Sequence, residues 1–516
     1  MTVHPFLAHL NREQLSAGQK VDGTILLEAG PGTGKTNTAT SRAAYMVDGH
    51  GINPMNMLML TFTNKAAEEM KERVVDKLGL DGHRMAITTF HKFVARWILS
   101  PNQKHPFFVA EGFEKGFICL DQEDASKLVN ESMKLSHPDI AKILEIHSYT
   151  PKRVMSWLSK VRAQRFSAKS FHHQLLLDDP SLKTAWSDVA RRIAMRIDGD
   201  SGAAFDNAAE LEQLLKKHPK VIDLALCHVW KKYKDQCLSV AGIDYDDMLG
   251  MADQLMTADT DIAKRLAAQF QYISVDEMQD TNPVQMSILS QIGHYHGESP
   301  NLFMVGDPRQ SIYGFRAADV TIMTKMSERY PQTDVVSLVR NYRSSKQQIV
   351  TNNAHALTMG GQISDGQLIP HNDGDEKAQL HVFEHDYEEA AHIAGKIKIL
   401  LNDGVVPGEI AVLYRARGVK DEIEKVLAYD NTPYTVIGDT TFWECKEVKD
   451  AVAFARFCSR PNDVMAASRV LETVHLGATG QLLRKNVKQY GNNAKDFIAY
   501  IGEKRQRTKP ELKRFA

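Results

Sequence analysis

The chain has 516 residues, 43% hydrophobic and 25% charged. At roughly 150 residues per domain this allows three or four folding units and excludes a disordered, fibrous or disulfide-scaffold protein. With 63 Lys+Arg against 64 Asp+Glu, the whole-chain charge announces no polyanionic partner, so any anion site has to be local.

Residues 24–29, T-I-L-L-E-A, form a short apolar run that ends at a glycine cluster and gives way to helix-compatible sequence from Thr36, a strand–loop–helix signature. A second apolar run at 57–61 precedes Asn64, after which Met70, Val74 and Leu78 recur every four residues, the spacing of one helix face. From about 96 to 235 the pattern becomes long helical stretches without clear strands. Ile222, Leu226, Val229, Trp230 and Tyr233 follow i, i+4, i+7, i+8, i+11 beside Lys231, Lys232 and Lys234, and an inserted helical domain is expected. Strand runs return at 271–277 and 302–306, predicting a parallel sheet with crossover helices. Further runs at 334–338 and 410–414, the last (I-A-V-L-Y) of the fully buried type, predict a second α/β domain from about 335. The Gly- and Asp-rich stretch 360–376 reads as an exposed excursion, and the tail after Lys504 is mildly basic.

Cys119, Cys227, Cys237, Cys445 and Cys458 make neither a C-x-x-C pair nor a zinc spacing and read as buried thiols of a reducing compartment. The N-terminal residues lack a basic segment followed by an apolar run, and no stretch approaches the roughly 20 apolar residues of a membrane span. A cytoplasmic protein without a membrane partner is therefore expected.

The chemistry is concentrated in two stretches. Residues 29–36, A-G-P-G-T-G-K-T, differ from G-x-x-x-x-G-K-[ST] only in Ala29 at the first position. Triphosphate binding needs backbone N–H groups curled around anionic oxygens at a helix N-terminus, and Gly30, Gly32 and Gly34 admit the backbone angles that side chains forbid. With Pro31 and Thr33 completing the loop, Lys35 would meet the β- and γ-phosphates and the Thr36 hydroxyl would ligate Mg²⁺. An ordinary glycine-rich turn is the competing reading, weakened because the loop lies between a strand run and a helix. The second stretch, Q-Y-I-S-V-D-E-M-Q-D at 271–280, places adjacent acids at a strand end: Asp276 to hold Mg²⁺, Glu277 to polarise the attacking water. Alone, such a pair is more often a solvated turn; the phosphate loop reverses that balance.

At this point the sequence resembles the UvrD/Rep-like superfamily 1 DNA helicases, with motifs in order along most of the chain. L-N-R-E-Q at 10–14 is similar to the Q motif, in which Gln14 would read the adenine, and 29–36 to the Walker A loop. T-F-T-N-K-A-A-E-E-M at 61–70 and T-T-F-H-K-F at 88–93 are similar to motifs Ia and Ib. V-D-E-M-Q-D at 275–280 is similar to the Walker B motif, V-G-D-P-R-Q-S-I-Y-G-F-R at 305–316 to motif III, and N-Y-R-S-S at 341–345 to motif IV. The resemblance implies that Gln310 senses the γ-phosphate, that Arg343 reaches it from the second domain, and that Phe62, Thr63, Asn64, His91, Tyr313, Phe315 and Arg316 form a single-strand track. The track has a physical rationale, since single strands are held by bases stacked on aromatic faces with cations along the backbone. Core packing is the plainer fate of any one aromatic, and His91 could equally be a hydrogen-bonded structural residue. Phe315 stands where the family commonly has Trp.

The fold implied is α/β: RecA-like P-loop motor domains, with parallel sheets and crossover helices, plus an inserted helical domain. The expected division is 1–95 with 236–334 for the first RecA-like domain, 96–235 for the helical insert, 335–440 for a second, incomplete RecA-like domain, and 441–516 for the start of a helical insertion. I-A-V-L-Y-R-A-R at 410–417 and F-W-E-C-K-E-V-K-D at 442–450 keep the family register. Beyond Gly480 the resemblance fades: motif V (T-x-H-x-x-K-G) and motif VI with its finger arginine are not found, and T-V-H-L-G-A-T-G at 473–480 is a false echo of motif V. The expectation is an ATP- and Mg²⁺-dependent DNA helicase or translocase, 3'-5' by resemblance, acting on single-stranded DNA or DNA with a single-stranded tail. The alternative is an ATP-gated single-stranded-DNA-binding or assembly subunit, a truncated or split helicase with little unwinding activity alone; a second polypeptide or self-association completing the second motor domain is a further possible partner.

Overall fold

The computed structural model describes residues 3–114, 116–187, 189, 208–314, 317–356, 367–415, 417–437, 445–460 and 463–473. Six strands, β1 (Ile25–Ala29), β2 (Met57–Thr61), β3 (Ala86–Thr89), β4 (Tyr272–Val275), β5 (Leu302–Gly306) and β6 (Asp334–Leu338), form one sheet in the order β3-β2-β4-β5-β1-β6 with every pair parallel. Side chains alternate across a strand, and here both faces are apolar. Leu26, Leu58, Leu60, Ile273, Val275, Leu302 and Met304 feed one core, while Ile25, Leu27, Met57, Met59, Phe303 and Val305 feed the other. This is the RecA-like α/β architecture the sequence predicts.

Helices α1 (Arg12–Gln19), α2 (Lys35–His50) and α3 (Asn64–Leu78) cover one face, bringing Ala17, Ala39, Ala43, Met46, Met70 and Val74 to it. The helical insert follows. In it α4 (Gln122–Lys134), α5 (Pro151–Ala163) and α6 (Val221–Ser239) build a separate core around Leu128, Val154, Leu158, Leu224, Trp230 and Tyr233. The chain then returns through α7 (Tyr245–Ala258) and α8 (Pro283–Gly293), which cover the second face of the sheet.

Two features add to the sequence expectations. β6, read as opening the second α/β domain, pairs in parallel with β1, so the expected boundary near 335 falls inside a strand of the first sheet. The helix Val464–Thr473 places Val464, Met465 and Ala467 in the core of the helical insert, with Arg469 Nη1 3.2 Å from Glu123 Oε2. Nothing in its apolar pattern names the partner; only the fold supplies it.

Residues Glu376–Ala455 form a distinct compact unit. Within it α9 (Asp386–Asn402) and α10 (Arg417–Tyr429) pack through Ala390, Ala394, Ile423 and Leu427. The expected buried strand Ile410–Tyr414 is corrected here: the segment pairs with no strand among the described residues, and Leu413 is 91% exposed. An apolar run becomes a buried strand only where neighbours take up its amides and both its faces. Among the described residues no helix is long and apolar enough to cross a membrane.

Candidate nucleotide site and aromatic surface

The phosphate loop leaves the C-terminal end of β1 and enters α2 at Lys35. Gly32 and Gly34 have φ of 68° and 82°, the left-handed region open to glycine. The loop is also crowded: a Cβ on Gly32 would lie 2.7 Å from Arg343 Cβ, and one on Gly34 2.7 Å from Gln14 Nε2. Thr33 Oγ1 donates to the Gly30 carbonyl at 2.7 Å and fixes the curl. Gln14 sits in a reciprocal capping box with Asn11 at the start of α1, buried, its Nε2 donating to the Thr33 carbonyl at 2.8 Å. This amide therefore supports the loop from outside.

Ahead of the loop lie the two acids. Asp276, 7% exposed, follows β4 and accepts the Glu277 N–H on Oδ1 at 3.1 Å and a bond from the Thr36 hydroxyl. Burial pushes its carboxyl up to about 6; Glu277 adds to this, while Lys35 and the hydrogen bonds work against it. Glu277 adopts a left-handed conformation, φ 54° and ψ 47°, which turns the chain off the strand axis. Such strain in a non-glycine residue persists only where its surroundings enforce it.

Lys35 Nζ stands 3.6 Å from Glu277 Oε2 and 3.4 Å from Gln310 Oε1. Gln310 Nε2 donates to Asp307 Oδ2 at 2.9 Å, Gln279 Nε2 donates to Glu277 Oε2 at 2.7 Å, and Gln279 Oε1 accepts the Asp307 N–H at 3.1 Å. The structure thus gathers Gln14, Ala29–Thr36, Asp276, Glu277 and Gln310 into one cluster at the C-terminal edge of the sheet, where ligands bind in open α/β folds. Arg343 reaches the cluster through its main chain: Tyr342 N–H donates to the Gly32 carbonyl at 2.9 Å, Asn341 Nδ2 to the Pro31 carbonyl at 2.6 Å, and Asn341 Oδ1 accepts the Arg343 and Ser344 amides at 2.8 Å.

Sequence reasoning missed Gln279, Asp307 and Asn341, although all three lie inside quoted motifs. Their job is to hold other side chains, and spacing alone does not show it. It also missed Thr61, at the end of β2 one step beyond the paired Leu60 and Val275, whose buried hydroxyl has no hydrogen-bond partner among the described residues.

Of the expected single-strand track, Phe62 and Tyr313 meet with ring centroids 4.4 Å apart and planes tilted by 33°. Thr63 and Asn64 are exposed at the start of α3, where Thr63 Oγ1 caps the helix by accepting the Ala66 N–H at 3.1 Å. His91 pairs with the exposed ring of Tyr245, centroids 5.8 Å apart and edge-on; Tyr245 was not anticipated. Phe315, Arg316 and most of the 473–480 echo of motif V lie outside the described residues.

Comparison with known proteins agrees with this geometry. Residues 10–331 match the UvrD/REP helicase N-terminal domain and residues 336–510 the UvrD-like helicase C-terminal domain. The chain is 28% identical over 502 residues to the ATP-dependent DNA helicase PcrA of Bacillus subtilis, covering 96% of this chain and 59% of that protein. It is 26% identical over 509 residues to the PcrA of Staphylococcus aureus strain Mu50, covering 97% and 60%. It therefore spans about three fifths of the length of the relatives it matches. With the N-terminal domain match alone covering more than half of the sequence, the chain belongs to the UvrD/REP helicase family.

Proposed function

We propose that the chain is an ATP-dependent DNA motor, hydrolysing ATP and stepping 3'-5' along single-stranded DNA or the single-stranded tail of a duplex. The observation that carries this is the cluster in which Lys35 lies between Glu277 and Gln310, behind a left-handed glycine loop at a helix N-terminus. The loop amides and Lys35 would hold the β- and γ-phosphates, and Gln14 braces the loop at the Thr33 carbonyl. Water attacks the γ-phosphorus while Glu277 accepts its proton, the bond to the bridging oxygen breaks, and ADP leaves with that electron pair.

The residues present fit Mg²⁺. The Thr36 hydroxyl and the Asp276 carboxylate are within one hydrogen bond of each other, as two oxygen ligands of one small cation would be. Bound there, the ion would neutralise charge on the phosphate oxygens. Gln310, joining Lys35 to Asp307, connects phosphate occupancy to the loop that carries Tyr313, and the paired rings of Phe62 and Tyr313 offer stacking faces for bases.

The test is ATP turnover with and without an oligothymidine strand, together with strand displacement from duplexes tailed at either end. Turnover stimulated by the strand and displacement from the 3'-tailed duplex support the reading; turnover indifferent to DNA refutes it. A second reading, an ATP-gated DNA-binding or assembly subunit, is favoured by the exposed apolar segment Ile410–Tyr414, which a second polypeptide or a second copy could cover by strand pairing. Nucleotide-dependent DNA binding with negligible turnover, alongside a concentration-dependent mass in solution, would select it.

A further inference from the structure

The Walker B turn continues past the two acids to Asp280, a buried side chain to which the phosphate chemistry assigns no task. From Glu277, Met278–Asp280 form a single 3-10 turn, and the Asp280 N–H donates to the Glu277 carbonyl at 3.0 Å. Its carboxylate faces the Ser311–Tyr313 loop. It accepts the Ser311 hydroxyl at 3.4 Å and lies within electrostatic reach of the main-chain amides of Ile312 and Tyr313. The Ser311 hydroxyl also lies 3.3 Å from the Gln279 carbonyl, and the Asp319 N–H donates to the Thr281 carbonyl at 3.1 Å. The loop bearing Tyr313 is thus held to the turn bearing Glu277 at Ser311 and again at Asp319.

We propose that Asp280 is the positioning residue that couples the nucleotide site to DNA, fixing Tyr313 against Phe62 through the Ser311–Tyr313 backbone; this rests on the reading of Tyr313 as a DNA contact. The residue type fits the task. Three donors, the Ser311 hydroxyl and the Ile312 and Tyr313 amides, face one side chain, and an ionised carboxylate offers two oxygens with about four lone-pair sites and no competing hydrogen. An asparagine of the same shape keeps one acceptor and turns an NH₂ toward amides that also donate. A 3-10 turn rises about 2 Å per residue, so Glu277 and Asp280 lie on consecutive levels of one rigid turn. A shift of Glu277 on phosphate binding would therefore move the Tyr313 loop without an intervening flexible segment. This link is separate from the Gln310–Asp307 connection, which reaches the same loop from the Lys35 side.

The experiment compares D280N, Y313A and the double variant D280N/Y313A of the full chain. The readouts are affinity for a fluorescent ATP analogue, the oligothymidine concentration giving half-maximal ATPase stimulation, and the thermal midpoint. D280N is expected to keep wild-type nucleotide affinity while raising the half-stimulating DNA concentration about tenfold, the scale of one lost base stack. The double variant should bind DNA no more weakly than Y313A, because both changes act on the same ring. S311A, which removes one of the three donors and leaves the carboxylate, should show a smaller loss in the same direction. Wild-type DNA dependence in D280N, additive losses in the double variant, or nucleotide affinity falling in step with DNA affinity would overturn the role of Asp280. Y313A with wild-type DNA affinity would instead remove the DNA-contact reading itself and this inference with it.

Discussion

β1 and the segment Ile410–Tyr414 are similar as strings, I-L-L-E-A against I-A-V-L-Y, yet one is buried along its length and carries the phosphate loop while the other is open to solvent with Leu413 91% exposed. The difference lies in their neighbours. β1 has β5 on one side and β6 on the other, so its amides are paired along the strand and its side chains enter two cores. Ile410–Tyr414 has no ladder among the described residues. Hydrophobicity sets a demand for burial; the surrounding strands and helices decide whether it is met.

The comparison can be broken at several points. The largest effect belongs to what β1 delivers: K35A should reduce ATP turnover on the order of 10²–10³-fold through loss of a preorganised cation, measured by phosphate release. E277Q should lower turnover by roughly 10²–10⁴-fold while equilibrium dialysis shows ATP still bound, the split expected when only the water-orienting group is lost. Equal loss of binding in both variants would contradict the separate roles of the two residues.

The two segments should also differ in stability. Leu27→Ala, in the middle of β1, should cost about 2–5 kcal/mol in urea unfolding, whereas Leu413→Ala should stay within about 0.5 kcal/mol. A large cost at Leu413 would mean that the segment is covered in solution.

A polar counterpart is buried beneath the helices around Arg162. Arg162 Nη1 lies 2.7 Å from Asp244 Oδ2 and 3.6 Å from Asp247 Oδ1. Burial works to raise Asp244, but Arg162, a bond from Tyr233 and the Asp247 amide together hold it below the usual carboxylate range. Asp247 has the poorer share, and burial pushes it up to about 6. Between the ordinary carboxylate value and pH 6 the folded chain then binds more protons at Asp247 than the unfolded chain, so its contribution to stability falls as pH rises through that window. D247N should accordingly raise unfolding stability by about 1–3 kcal/mol at pH 8 and leave it nearly unchanged at pH 4. Stabilisation confined to low pH would reverse the sign and refute the assignment.

Much of the candidate nucleotide site could be read directly from the chain, because its parts are contiguous. A glycine loop between strand and helix, a Lys-Thr pair behind it and an acid pair at a strand end are each local patterns whose chemistry depends on residue type and order. Ala29–Thr36, Asp276 and Glu277 come together as that order requires. The supporting groups are a different matter. Gln279, Asp307 and Asn341 act by holding side chains or main chain from distant segments, and Thr61 matters because its hydroxyl is left over, which is a property of the packed site.

The parallel α/β class was legible in the chain alone, as were the helical periodicity between the two halves of the sheet and the glycine loop expected to hold phosphate, since apolar periodicity and glycine's backbone freedom are written residue by residue. Long-range packing settled that β6 joins the first sheet, that Val464–Thr473 docks on the helical insert, that Ile410–Tyr414 stays exposed, and that Asp280 faces the Tyr313 loop. Each of those outcomes is a choice of partner. Partners are selected by the joint burial of surfaces far apart in the chain, and a single apolar or acidic residue carries no record of which surface it will meet.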